Sequence, residues 1–314
     1  MTWPHPASPF HPGERMIQRR LGVRERVEEG GRRLIRDFLR DEHRDFYAGL
    51  PFLVLGSIDA EGWPSVSIAY GKPGFASSPH AKALVISIDS RSAMPAVKVL
   101  ATGVDVGILG IDLATRRRNR LNGIVSAIRE DTIEVTIVQA YDKCTKYIAV
   151  REWFEAPPSP TTFVCESNSL GDLEQAIVTA ADTFFIASAL GRARDDPSYG
   201  VDASHRGGAP GFVRIDDART LTVPDFIGNF AFNTLGNLLL EPRCGLLFLD
   251  FATGTTVEIA AEAEILWGGP EVVAIDGAQR LLRFHLRYVR RSEGAVPLRW
   301  TLAAVQSDSA STTR

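Results

Sequence analysis

The chain has 314 residues, 45% hydrophobic and 23% charged, enough for two ordinary domains and typical of a globular rather than a disordered or fibrous protein. Its formal net charge of −3 provides no global attraction to nucleic acid or to an anionic membrane, so any anion site must be local. Three widely spaced cysteines, Cys144, Cys165 and Cys244, form no C-x-x-C pair, which argues against a disulfide framework or a zinc site.

Residues 1–13 carry Pro4, Pro6, Pro9 and Pro12 and no apolar run of the signal-peptide kind. No stretch reaches the ~20 apolar residues of a membrane helix, and a cytoplasmic location is the expectation. Residues 14–47 are predicted helical, within an N-terminal extension spanning 1–49. Met16, Ile17, Leu21, Val23, Val27, Leu34, Ile35, Phe38 and Leu39 recur largely at threes and fours. Gly22, Gly30 and Gly31 divide the run into shorter helices. Its interleaved acids and bases read as solvated helix faces rather than a nucleic-acid arm.

From Pro51 the period changes. Strands are predicted at 52–57, 63–69, 84–88, 104–109, 123–128 and 132–139, with short turns such as Asp59-Ala60-Glu61-Gly62. Without regular crossover helices, this pattern predicts an antiparallel sheet or barrel over 50–155. Pro157, Pro158 and Pro160 mark a linker at 156–169. A second β domain, 170–305, opens with a short helix and the apolar strand 183–188. The Ser/Thr-rich tail, 306–314, is expected to be disordered.

The second half answers the first. Leu50-Pro-Phe-Leu-Val-Leu-Gly-Ser57 matches Ala181-Asp-Thr-Phe-Phe-Ile-Ala-Ser188, and Gly71-Lys-Pro-Gly-Phe75 matches Gly208-Ala-Pro-Gly-Phe212. Asp105 to Thr115 likewise matches Arg243 to Thr253. Three matches in one order indicate two homologous β units in tandem. Such a pair either enlarges the core, with one copy decayed, or forms an interface cleft of the kind that binds ligands.

Three segments could carry chemistry. Thr115-Arg-Arg-Arg-Asn-Arg-Leu-Asn-Gly123 is either an arginine anion site or a basic strand edge that deters aggregation. Asp202-Ala-Ser-His-Arg-Gly-Gly-Ala-Pro-Gly-Phe212 offers hydroxyl, imidazole and guanidinium beside Gly207-Gly208, where a backbone can approach a ligand. A serine-hydrolase reading fails, because adjacent Ser204 and His205 in a strand point apart and no G-x-S-x-G elbow is present. In Pro224 to Leu240, Asn233 or Thr234 can cap an apolar helix whose free amides form an anion site, or the cap is an ordinary one. Asn229, Asn233 and Asn237 would share a face if that helix begins early. Metal-ligand spacings, P-loops and dinucleotide loops are absent from the sequence.

Thr183 to Ser188, Gly200 to Val213 and Pro224 to Asn237 together resemble the pyridoxamine 5′-phosphate oxidase-like superfamily, the flavin-binding split barrels. The likeness is clearest over about 180–265 and looser over 51–139. It implies a mainly β fold with flanking helices: two tandem six-stranded antiparallel split β-barrels forming an intramolecular pseudo-dimer after N-terminal helices. It also implies flavin mononucleotide (FMN) as cofactor, with Ser204, His205, Arg206, Gly207 and Gly208 along the ring and ribityl chain. Asn229, Asn233 and Thr234 would lie near the phosphate, where the oxidases place Ser, Arg and Lys, so charge must come from elsewhere; Asp225 is a further cofactor-binding candidate. Arg117-Arg-Asn-Arg-Leu-Asn-Gly123 is similar to the oxidases' R-Q-V-R-[IV]-E-G motif. Arg117, Arg120 and Gly123 match it, whereas Arg118 and Asn122 depart from it, which argues against pyridoxamine phosphate itself as substrate. The resemblance implies an oxidoreductase using a small-molecule substrate or electron donor, with homodimers among its relatives. The alternative is a non-catalytic or degenerate barrel that binds flavin, the deazaflavin F420 or haem.

Overall fold

The computed structural model describes residues 2–88, 100–142, 145–157, 163–191 and 196–303. Cys144 and the tail expected to be disordered lie outside the described residues.

Three helices come first: α1 (Pro12–Arg20), α2 (Arg24–Leu34) and α3 (Asp41–Gly49). A reciprocal cap starts α1. The His11 ring accepts from the Gly13 amide, and the Glu14 carboxylate accepts from the His11 amide at 2.8 Å, with Pro12 preset for the first turn.

The first sheet contains β1 (Phe52–Ile58), β2 (Pro64–Tyr70), β3 (Ala76–Ser77), β4 (Ala83–Ser87), β5 (Asp105–Asp112), β6 (Arg117–Arg129) and β7 (Thr132–Asp142). After it come β8 (Arg151–Glu155), β9 (Val164–Ser167) and α4 (Asp172–Ala180). The second sheet comprises β10 (Thr183–Leu190), β11 (Gly200–Gly207), β12 (Arg214–Asp217), β13 (Thr220–Phe226), β14 (Arg243–Leu249), β15 (Thr256–Leu266) and β16 (Ala278–Ser292). Helices α5 (Asn233–Leu240) and α6 (Pro270–Val273) interrupt that series; β17 (Leu298–Leu302) follows it and pairs with β8 in a separate two-stranded sheet.

The strand order is β2-β1-β5-β6-β7-β4-β3 in the first sheet and β11-β10-β14-β15-β16-β13-β12 in the second, with β9 added to β16. Element by element, the two orders are the same, and every pairing is antiparallel. Six long strands in each unit make the split barrel, and β3, β12 and β9 are short additions. The likeness extends to single residues. Phe52 opposes Tyr70 and Thr183 opposes Gly207; the β6–β7 and β15–β16 ladders shift register at Asn122/Gly123 and Ala260/Ala261. In both G-x-P-G-F turns the fourth residue has positive φ, at Gly74 (99°) and Gly211 (85°), a conformation that suits glycine.

Each unit has its own apolar core. A third core lies between them, joining Phe52, Val54 and Ile68 of the first to Phe185, Ala203 and Leu247 of the second, with Trp300 closing it. Each fully buried Val, Ile, Leu or Phe among them contributes about 1.5–3 kcal/mol, so the interface is held by the same force as the interiors. Close approach depends on equivalent glycines: a Cβ at Gly107 would lie 2.6 Å from the Val201 carbonyl, and one at Gly245 would lie 2.6 Å from the Pro64 carbonyl. The units therefore face each other about a pseudo-twofold axis. No described helix is long and apolar enough to cross a membrane.

Candidate functional site

At one end of this interface an open cleft, about 1070 Å³ counting the solvent in its mouth, is walled by both units. The first unit contributes Leu109, Arg118, Arg120, Lys146 and Tyr147. From the second come Ser204 to Gly207 on edge strand β11, the stretch 224–230, Phe232 to Leu235 and Arg280. Nine of the eleven residues singled out from the sequence meet here: Arg120, Ser204, His205, Arg206, Gly207, Asp225, Asn229, Asn233 and Thr234. Two do not. Arg117 is exposed, its guanidinium 5.1 Å from the Phe46 ring centre, and Gly208 sits behind the wall, where a Cβ would strike the Phe212 ring.

The cleft is electropositive. Arg118, Lys146, Arg206 and Arg280 face one carboxylate among the described lining residues, Asp225. Arg206 Nη1 donates to Asp225 Oδ1 at 2.5 Å, and Arg280 Nε lies 3.4 Å from Asp225 Oδ2. That carboxylate orients two guanidinium groups without satisfying them: Arg206 Nε and Arg280 Nε and Nη1 are buried and make no hydrogen bond. The Arg280 guanidinium also lies over Phe232, 5.2 Å from the ring centre, a cation–π contact. Arg120 is differently committed. It is 2% exposed, donating to Asp202 at 2.9 Å and to the Tyr141 hydroxyl at 3.3 Å.

His205 is held neutral. Burial, reinforced by Arg118, Arg206 and Arg151, pushes its imidazole well below the ordinary value. Arg118 Nη1 lies 3.2 Å from His205 Nδ1, and guanidinium can only donate, so the ring proton sits on Nε2. That Nε2–H is buried without a partner. The site thus offers unsatisfied donors from three side chains.

The loop before α5 supplies more. Phe232, its N-cap, has no side-chain cap bond, which leaves first-turn amides beside Asn233, Thr234 and Leu235, the positive end of a helix. Thr234 Oγ1 donates to Ser204 Oγ at 3.1 Å, Asn229 Oδ1 accepts from the Ala231 amide at 3.2 Å, and the Asn233 amide donates to Glu14. Among the described residues, four other than glycine have positive φ: Arg116, Tyr147, Phe230 and Phe232. The last three line the cleft, and strained backbone gathers at functional sites. Tyr147 stacks on Phe226 with ring centres 5.5 Å apart, forming an aromatic wall. Its carbonyl lies 2.0 Å from where a Gly207 Cβ would be, so only glycine fits there.

The arrangement suits a planar ring with an anionic tail. Arg118 and Phe226 lie within the segments read from the sequence but not among its eleven candidates, and Lys146, Tyr147 and Arg280 lie outside those segments. Arg118 and Arg280, with Lys146, are the phosphate-type cations that the loop before α5 lacks.

No family model matches the sequence, and no curated protein matches it. Similar solved structures are pyridoxamine 5′-phosphate oxidase-like and FMN-binding split-barrel proteins. One, named after pyridoxamine 5′-phosphate oxidase, from Lactobacillus delbrueckii, is 14% identical over 39% of this chain and 94% of that chain, with a TM-score of 0.31. An FMN-binding protein from Syntrophomonas wolfei is 12% identical over 36% and 80%, with a TM-score of 0.27. HutZ, the haem storage protein from Vibrio cholerae, is 17% identical over 32% and 88%, with a TM-score of 0.23. Most of each of these proteins is matched by less than half of this chain.

Proposed function

We propose that this chain is a flavoprotein that holds FMN in the inter-unit cleft and acts as an oxidoreductase on a small molecule or electron donor. The observation that carries the reading is the set of buried, unsatisfied donors on His205, Arg206 and Arg280, gathered with Arg118 and Lys146 in one cleft. Arg206, Arg280 and the start of α5 would hold the phosphate, with Asn229, Asn233, Thr234 and Ser204 beside it. Tyr147 and Phe226 would flank the ring, and the His205 Nε2–H would donate to one of its polar atoms. Bound flavin supplies electron transfer, while the protein orients the ring and sets its electronics. Arg120 acts indirectly, bracing the two walls through Asp202. The two units are read as copies of one ancestral barrel, spanning 50–155 and 170–305, fused so that one chain supplies both walls.

A second reading, a barrel that binds flavin, F420 or haem without turnover, is favoured by one observation. The only carboxylate among the described lining residues, Asp225, is engaged by two arginines, and burial holds His205 neutral. Spectroscopy separates the two. The oxidoreductase reading predicts protein that is yellow after FMN loading and bleaches with both dithionite and a nicotinamide donor. Bleaching with dithionite alone selects the second reading, and a Soret band in place of flavin absorbance selects haem.

A further inference from the structure

A second cleft, about 680 Å³ counting its mouth, lies across the pseudo-twofold axis from the Arg120–Asp202 pair. Asp59, Trp63 and Ser65 of the first unit and Glu258, Tyr288 and Arg290 of the second line it. Strand register makes the two places equivalent. Arg120 opposes Leu109 as Glu258 opposes Leu247, and Asp202 opposes Ser188 as Ser65 opposes Ser57.

At the first place the charges cancel. Asp202 accepts from Arg120 at 2.9 Å, from Asn122 at 2.8 Å and from Asn237 at 3.0 Å. The N-terminal segment closes over it: Gln139 donates to the Pro9 carbonyl at 3.0 Å, and His11 packs against Asn237. At the second place a carboxylate stands where the guanidinium was, and a serine replaces the aspartate. None of the described residues closes it.

Glu258 is 9% exposed, and its Oε1 has no hydrogen-bond partner. Arg290 lies opposite it in the ladder, yet the Arg290 ion pair is with Glu166, at 3.8 Å. A buried carboxylate oxygen without a hydrogen bond is costly, and Glu258 lines the open cleft. The Trp63 ring beside it already carries the Arg243 guanidinium, 5.7 Å from its centre. Among the described residues no group of three or more His, Cys, Asp or Glu could hold a metal ion.

We propose that this second cleft binds a small organic cation, an alkylammonium or guanidinium group paired with Glu258 and packed through its apolar body against Trp63 and Tyr288. Burial, with Glu166 adding and Arg290 opposing, pushes the Glu258 carboxyl up to about 7. Asp59 and Tyr288 face the same space. Cation binding therefore strengthens as pH rises through that value. The site does not depend on the flavin reading.

The test is a calorimetric titration of the full chain with n-butylammonium, with n-butanol as the uncharged control. The proposal predicts saturable binding near pH ~8, at least ~10-fold weaker near pH ~6, and none for n-butanol. Glu258→Gln should weaken it ~10-fold or more. Ser65→Lys, which supplies an ammonium from β2, should abolish binding and raise Tm. Parent-like binding by Glu258→Gln, equal binding of n-butanol, or no saturation below ~10 mM overturns the proposal. If Glu258→Gln does not fold, the parent's pH profile and Ser65→Lys decide.

Discussion

Arg206 and Arg280 share one carboxylate and keep unused donors, the arrangement of a clamp waiting for a second anion. If Arg206 meets the cofactor's charged group, Arg206→Ala should weaken FMN binding by about 1.5–3 kcal/mol in a flavin-fluorescence titration; unchanged affinity removes it from the site. Arg206 was legible because it sits in the compact run Ser204-His205-Arg206-Gly207-Gly208. Arg280 was not. It is one of several arginines along β16, and nothing in local spacing separates it from Arg283 or Arg287; burial to 5% exposure by Trp267 and Phe232 does. Glu258 gives a second prediction. Its folded-state pKa lies above its unfolded value, so the native state binds the proton more tightly. Stability from this group is present at low pH and lost as pH climbs from about 4.5 to about 7, a loss on the order of ~3 kcal/mol. Urea unfolding of Glu258→Gln across that window should lack this decline; an identical decline in the variant would show that another group causes it.

Among the elements, the interface between units depends on two glycine strands laid against β11 and β2. Gly107→Ala places a methyl against the backbone at Val201 and Ala203 and should destabilise the chain by about 1–3 kcal/mol, read as a lower urea midpoint. An unchanged midpoint would mean that the contact is not close. Most strands were legible from short apolar runs bounded by turn signals, β1, β2, β5 and β10 among them. The basic run falls between the predicted strands 104–109 and 123–128, yet β6 already begins at Arg117. Its charges hid the strand because their partners, Asp202 and His205, come from the other unit and are invisible to local pattern. Asn229, Asn233 and Asn237 would share a helix face only if the helix began early, with Asn233 or Thr234 as the expected cap; Phe232 caps it instead, with no side-chain hydrogen bond. In the structure α5 starts only at Asn233, after the two positive-φ phenylalanines, a conformation no composition signal marks.

For the molecule as a whole, the repeat in sequence foretold the repeated topology, whereas its functional asymmetry emerges only from three-dimensional equivalence. Where the second unit carries His205, Arg206 and Gly207, the first carries Ile68, Ala69 and Tyr70, and Thr256 stands at the place of Arg118. Ile68 and Tyr70 are packed into the inter-unit core with Trp153, Leu298 and Trp300, so the second copy of the cleft is filled rather than vacant. On the proposed reading, the chain holds one planar anionic cofactor, where both units meet. Titrating the purified full-length chain with FMN, and reading flavin fluorescence against protein concentration, tests this most directly. A break at about one FMN per chain is the predicted result; a break at two, or no saturable quenching, contradicts it.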